Sequence, residues 1–176
     1  MKHRFLLPGE YYITNEQMFI ETLLGSCVCV CLYNVKNGCS AMNHFLLDQP
    51  GKNEKNCDIG RFGSSSVKHI IDALFTVDAN SLHYRAHLYG GASIVKSVSA
   101  GIDVGMKNIE IARLLIDTYH ICIANEDVGG IRGRRIRFNT ATNTVIFRYT
   151  GFEPETDNRM GNYDIRRSEK YDQLLR

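Results

Sequence analysis

Residues Thr22 to His44 read TLLGSCVCVCLYNVKNGCSAMNH, and the reading of this stretch decides how the rest of the chain is arranged. From Cys27 onward the side chains alternate. Val28, Val30 and Leu32 fall on one face and Cys27, Cys29, Cys31 and Tyr33 on the other, the two-residue period of a β-strand. A second apolar run, Cys39 to Leu47, follows a short break. That break, Asn34-Val35-Lys36-Asn37 before Gly38, has the Asn and Gly content of a hairpin turn, so the two runs read as antiparallel neighbours. With Asn34 to Asn37 as the loop, Tyr33 stands opposite Gly38 and Cys27 opposite His44.

Facing side chains on such a hairpin have Cβ atoms roughly 4.5–5.5 Å apart, so this register predicts a thiol beside an imidazole. A soft nucleophile with an adjacent base is the least that thiolate catalysis requires. A loop longer by one residue would turn His44 to the other face and break the pair. Most cysteines in apolar strands are inert core residues, so the pattern alone leaves a structural and a catalytic reading open.

Thr22-Leu23-Leu24-Gly25-Ser26-Cys27-Val28 followed by Ala41-Met42-Asn43-His44-Phe45 resembles the CheD family of chemoreceptor glutamine deamidases. Gly90-Gly91-Ala92 is similar to that family's internal Gly-Gly-Ala turn, and Gly105-Met106-Lys107-Asn108 to its Gly-x-x-Asn helix start. Glu126-Asp127-Val128-Gly129-Gly130 with Arg134 is similar to its Asp-x-Gly-Gly segment and following arginine. The matches keep the family's order and run from Pro8 to Tyr149.

Length and composition set independent bounds. A chain of 176 residues with 44% hydrophobic content is large enough for one domain with a proper core and too short to suggest two. The expected division is a single catalytic domain over residues 1–150 and a polar tail over 151–176. A formal charge of +2 gives no electrostatic reason to expect nucleic acid or an anionic membrane as a partner. The amino terminus, Met1 to Pro8, has too short an apolar run for a signal peptide, and no segment approaches the roughly 18 apolar residues of a membrane span. A cytoplasmic location is expected, in which the six cysteines are free thiols.

Outward from the hairpin, Glu10 to Thr14 and Phe19 to Thr22 read as short strands, and Asp48 to Gly60 (DQPGKNEKNCDIG) as a surface loop placed to wall a substrate groove or simply to connect. Ser64, Ser65 and Ser66 offer capping hydroxyls to a helix carrying Val67, Ile70, Ile71, Leu74 and Phe75 on one stripe. Leu82 to Tyr89 alternates as a strand, with His83 and His87 on one face; without a third ligand, no metal site is expected. Gly90-Gly91 lacks the companions of a phosphate loop and is expected to turn the backbone tightly beside the hairpin.

A second helix is predicted over about Lys107 to Tyr119, with Ile109, Ala112, Ile116 and Tyr119 on its stripe, then a strand at His120 to Ala124. Asp127 to Gly130 reads as a turn whose Asp bonds nearby amides. In the basic strand that follows, Arg135 and Arg137 share one face and Arg134, Ile136 and Phe138 the other, as on a solvated edge strand. Thr144 to Tyr149 is the last strand. In the tail, Arg167 to Leu175 reads as a short partner-induced helix or as disorder. The predicted class is α+β, a layered α/β sandwich with a mixed, largely antiparallel sheet and two main amphipathic helices; the resemblance implies a cysteine-hydrolase-like version of it.

The resemblance also implies an activity, hydrolysis of glutamine side-chain amides on the cytoplasmic domains of methyl-accepting chemoreceptors, with no cofactor. Cys27 is then the nucleophile and His44 the base. Backbone amides of the Gly25-Ser26-Cys27 turn face the oxyanion, and the candidate to orient the imidazole is Thr22, five positions before the cysteine; some family members carry the threonine six positions before, where this chain has Glu21, so either Thr22 substitutes through a one-residue loop difference or the orienting group lies elsewhere. Two other classes stay open: a non-catalytic module that regulates a CheC-type phosphatase, and a different thiol amidase or peptidase.

Overall fold

Val28–Asn34 is buried at every position, which an alternating strand achieves only when both of its faces are covered. A computed structural model of the chain, describing residues 1–52, 54, 58–93 and 103–151, gives the reason. The strands are β1 (Lys2–Phe5), β2 (Tyr11–Thr14), β3 (Met18–Leu24), β4 (Val28–Asn34), β5 (Ser40–Asn43), β6 (Tyr84–Gly90), β7 (Cys122–Val128), β8 (Arg134–Asn139) and β9 (Thr144–Tyr149). The helices are α1 (Gly63–Phe75) and α2 (Val104–Thr118).

The strands divide between two sheets, ordered β1-β3-β8-β9 and β2-β5-β4-β6-β7. β1–β3 and β6–β7 are parallel and the other pairs antiparallel. Val28, Val30 and Leu32 of β4 pack with Ile70 and Leu74 of α1 and Ile109 and Ala112 of α2. Cys29 and Cys31 pack the other way, with Ile20, Ile136 and Phe138 of the four-stranded sheet. The order of layers is therefore sheet, sheet, helix pair. The larger Val and Leu side chains face the helices, and the small thiols face the aromatic gap between the sheets. The fold is α+β, as the pattern predicted, although the strands occupy two sheets.

The β4–β5 hairpin is antiparallel, but its register departs from the expectation. Cys31 faces Met42 and Tyr33 faces Ser40, and the Val28–Phe45 bridge continues the same alignment. The Asn34 side chain accepts from the Lys36 and Asn37 amides, Asn34 N–H donates to the Cys39 carbonyl, and Gly38 takes a positive φ of 76°. This Asx turn places the loop over residues 35–38 and shifts the pairing by two positions. The residue opposite His44 is consequently Cys29. Because the side-chain period is also two, the shift leaves every residue on its predicted face, and Cys27 and His44 share the inter-sheet side.

Other elements differ at their ends. β1 was not expected, because all four of its residues are exposed and no apolar alternation marks it. α1 begins at Gly63 with Phe62 as its cap residue; the serines lie inside the helix, and the first amides donate instead to the Leu47 and Asp48 carbonyls. Leu82 and His83 belong to a 3-10 turn, Ser81–His83, so His83 bonds Asp78 while His87 lies between the sheets. β7 reaches Val128, and Asp127 pairs with Arg134 and Tyr149 rather than with backbone amides. β8 lies between β3 and β9 and is not an edge strand. No described helix is long and apolar enough to cross a membrane. The predicted helix at Arg167 to Leu175 lies outside the described residues.

Candidate active site

Thr22 sits on the inward face of β3, the face whose other members, Met18, Ile20 and Leu24, are buried. Its hydroxyl donates to the Leu6 carbonyl at 2.8 Å and lies 2.7 Å from His44 Nδ1. A hydroxyl has one proton, and the carbonyl takes it. The Thr22 oxygen therefore accepts from Nδ1–H, which fixes the tautomer and leaves Nε2 with its lone pair. Nε2 is buried and without a hydrogen-bond partner among the described residues.

His44 itself is 1% exposed and fixed by its backbone, its N–H donating to the Glu10 carbonyl at 2.9 Å and its carbonyl accepting from Gly9 N–H at 2.7 Å. Burial lowers its pKa to about 4, against an opposing pull from the Leu6 carbonyl. The imidazole is neutral at pH 7 and free to take a proton. The described base of the polar loop reaches this side too, since Gly60 lies against the Gly9 carbonyl so closely that a Cβ there would clash with it.

The Gly25–Ser26 corner carries the chain from β3 in one sheet to β4 in the other. The carbonyls of Gly25, Ser26 and the following Cys27 are all engaged. Gly25 O accepts from Ala92 N–H at 2.9 Å, Cys27 O from Gly91 N–H at 2.8 Å, and Ser26 O from the Asn108 side-chain amide at 3.0 Å. No backbone hydrogen bond from the Ser26 or Cys27 N–H occurs among the described residues. The turn is thus tied down by its acceptors. The Cys27 thiol is partly exposed, and burial raises its pKa above the ordinary thiol value, with its own backbone N–H opposing. Both the thiol and the imidazole are therefore neutral at pH 7.

The structure thus brings Thr22 and His44 into direct hydrogen-bond contact. It places Cys27 on the same face of its sheet as His44, in the diagonal relation of adjacent strands, rather than directly opposite. No hydrogen bond joins the Cys27 thiol to His44 among the described residues, and His44 Nε2 is left unpaired on that side. Cys29, which faces His44, is fully buried beside Cys31, with its Sγ 3.8 Å from that of Cys31. Burial raises the Cys29 thiol well above its ordinary value, which suits a packing role.

The Gly90-Gly91 turn lies beside the hairpin as expected, and two further supports, Arg134 and Asn108, escaped the sequence reading. Gly90 and Gly91 take φ of 113° and 70°, and a Cβ on Gly90 would run into the Cys27 carbonyl. Arg134 is 2% exposed; it donates to the Gly90 and Gly129 carbonyls, pairs with Asp127 at 2.8 Å, and has its guanidinium 5.5 Å from the Tyr149 ring centre. Its place among Ile136 and Phe138 on the inward face was the available signal, since a charge on a core face demands partners. Asn108, fully buried, donates from Nδ2 to both Ser26 O and Leu46 O, while its Oδ1 has no partner among the described residues, a desolvation cost of about 1–3 kcal/mol. On the outer face of β3, burial would raise the Glu21 carboxyl, but His3, Arg135 and Arg137 outweigh it and lower its pKa to about 2.

Among the described residues no cluster of His, Cys, Asp or Glu could hold a metal ion. The sequence pattern of a family described as CheD chemotactic sensory transduction matches residues 46–149. Relatives are found in several bacteria. A protein of Sulfurimonas denitrificans is 36% identical over 147 residues, covering 83% of this chain and 93% of its own. One of Trichlorobacter lovleyi is 34% identical over 142 residues, 81% of this chain and 87% of its own. One of Hahella chejuensis is 34% identical over 146 residues, 81% and 68%. Each is named probable chemoreceptor glutamine deamidase CheD.

Proposed function

This chain belongs to the CheD family of chemotaxis proteins, and from that premise we propose that it is a protein-glutamine glutaminase, converting glutamine side chains of methyl-accepting chemoreceptors to glutamate through Cys27 and His44. The observation that carries the chemistry is the Thr22–His44 contact, because a hydroxyl already committed to Leu6 leaves His44 Nε2 as a free base on the face that bears Cys27.

As the substrate carboxamide enters, the Cys27 thiol gives its proton to His44 Nε2 and the sulfur attacks the amide carbon. The carbonyl oxygen takes the negative charge and accepts from the open amides of Ser26 and Cys27, in the turn that begins at Gly25. The imidazolium, stabilised through Nδ1–H on Thr22, then protonates the departing nitrogen, which leaves as ammonia. The thioester that remains is cleaved by water whose proton His44 removes, releasing glutamate and the thiol.

Residues 1–150 form the catalytic domain in this reading, and 151–176 a polar appendage without a catalytic role. The enzyme works in the cytoplasm, on the cytoplasmic domains of receptors, and a CheC-type phosphatase is a second partner. Intact-mass measurement of a receptor cytoplasmic fragment should rise by about 1 Da per converted glutamine with the wild-type protein. Cys27→Ala should abolish that gain while leaving docking to receptor or phosphatase intact. Undiminished conversion by Cys27→Ala would refute the assignment.

A further inference from the structure

β4 and β5 are joined by ladder hydrogen bonds up to the Val28–Phe45 pair, where each N–H donates to the other carbonyl, at 3.2 and 3.0 Å. One step further the strands part. The ladder would next join Ser26 to Leu47, but the amides of Leu46 and Leu47 both turn to the Arg61 carbonyl, at 2.9 and 3.3 Å. The carbonyls of Ser26 and Leu46 are left at the open mouth of the hairpin. Ser26 immediately precedes Cys27, and Leu46 lies two residues beyond His44.

Asn108 closes this mouth. Its Nδ2 donates to Leu46 O at 2.8 Å and to Ser26 O at 3.0 Å, so one amide group spans the two strands where their own hydrogen bonds stop. The start of α2 is shaped to deliver it. Asp103 caps the helix by accepting from Met106 N–H, and Gly105 lies against the Gly91 carbonyl with no room for a Cβ. Asn108, three residues on, lies on the same face of the helix as Gly105. The spacing Gly105-x-x-Asn108 thus consists of one residue that permits close approach and another that uses it.

A tie serving stability alone would be expected to satisfy its own polar atoms. Asn108 Oδ1 is buried and has no hydrogen-bond partner among the described residues, and an apolar side chain of the same shape would avoid that loss. Resting on the deamidase reading above, we infer that Asn108 is a positioning residue, holding the Ser26 and Leu46 carbonyls on one amide and so setting the separation at which the Cys27 thiol meets His44.

The test uses the full chain with Asn108→Leu, which keeps the shape and removes the donor, and Asn108→Ser, which keeps a single short donor. Two quantities are read for each variant per folded molecule: kcat and KM for a receptor cytoplasmic fragment, and the rate of iodoacetamide alkylation at Cys27 across pH, followed by peptide mass. For Asn108→Leu, kcat should fall about 10- to 100-fold with KM within about threefold, and Cys27 alkylation should slow in parallel, because the loss lies in proton transfer rather than in docking. Asn108→Ser should fall between that variant and the wild type. Unchanged kcat and alkylation in folded variants, or loss of folding in both, would overturn the inference and leave the amide a structural tie. A wild-type protein inert toward every receptor glutamine would refute the deamidase reading alone, since the alkylation measurement still reads the thiol and its base.

Discussion

Replacing Thr22 with valine keeps the shape of the side chain and removes its oxygen. Two buried hydrogen bonds disappear, at 2.7 Å to His44 Nδ1 and 2.8 Å to the Leu6 carbonyl. Each contributes about 1 kcal/mol net, and the groups left behind are buried, so a stability loss of about 2–4 kcal/mol is expected. The catalytic loss arises differently. Without an acceptor beside Nδ1 the ring is free to carry its proton on Nε2, the atom that must receive the thiol proton. The Leu6 carbonyl already acts on the imidazole and offers a substitute acceptor, which limits the damage. We expect kcat to fall about 10- to 100-fold, or about 1.4–2.7 kcal/mol in the barrier, with KM nearly unchanged. Thr22→Ser, which restores the oxygen, should recover kcat to within about threefold. The assay is timed mass measurement of a receptor fragment, with thermal unfolding run in parallel to count folded protein. A folded Thr22→Val variant with full kcat would refute the role given to Thr22 and with it the tautomer argument.

His44, with a pKa lowered to about 4 by burial, resists the proton that an unfolded histidine binds below about pH 6.5. Its contribution is therefore fully present above the unfolded value and is lost as pH falls from there toward 4, by about 3 kcal/mol at the limit. Urea unfolding of wild type and His44→Gln between about pH 7 and pH 4.5 should show this slope in the wild type and a flatter one in the variant. The same value implies that kcat/KM has no acid limb near the free-imidazole pKa, and a limb there would contradict it. Gly90→Ala should cost about 3–5 kcal/mol in denaturant unfolding, because its φ of 113° is compounded by collision with the Cys27 carbonyl. Gly38→Ala, also at positive φ but with nothing within 4 Å, should cost only about 1–2 kcal/mol, and equal costs would mean that contact with the Cys27 turn contributes nothing.

Period and composition sufficed wherever a face of an element meets one environment along its whole length. The alternation of Val28, Val30 and Leu32 against Cys27, Cys29 and Cys31, the stripe Val67-Ile70-Ile71-Leu74 and the separation of Arg135 and Arg137 from Ile136 and Phe138 are all realised. Hairpin parity also survived, because a slip of two residues preserves faces where a slip of one would have reversed them. The sequence by itself thus determined the class of the fold and the common face of the thiol and the imidazole. It also carried the words that mark the family.

Tertiary structure decided the rest. Which residue stands opposite His44 depended on the Asn34 side chain and Gly38, whose local hydrogen bonding overrides a count of loop residues. That β8 is an interior strand, that Thr22 reaches across from another sheet, and that Arg134 and Asn108 bind carbonyls tens of residues away are facts of long-range packing. No periodicity within a single element carries them, because a buried polar group is specified by the partner that satisfies it, and that partner is chosen only when the layers close.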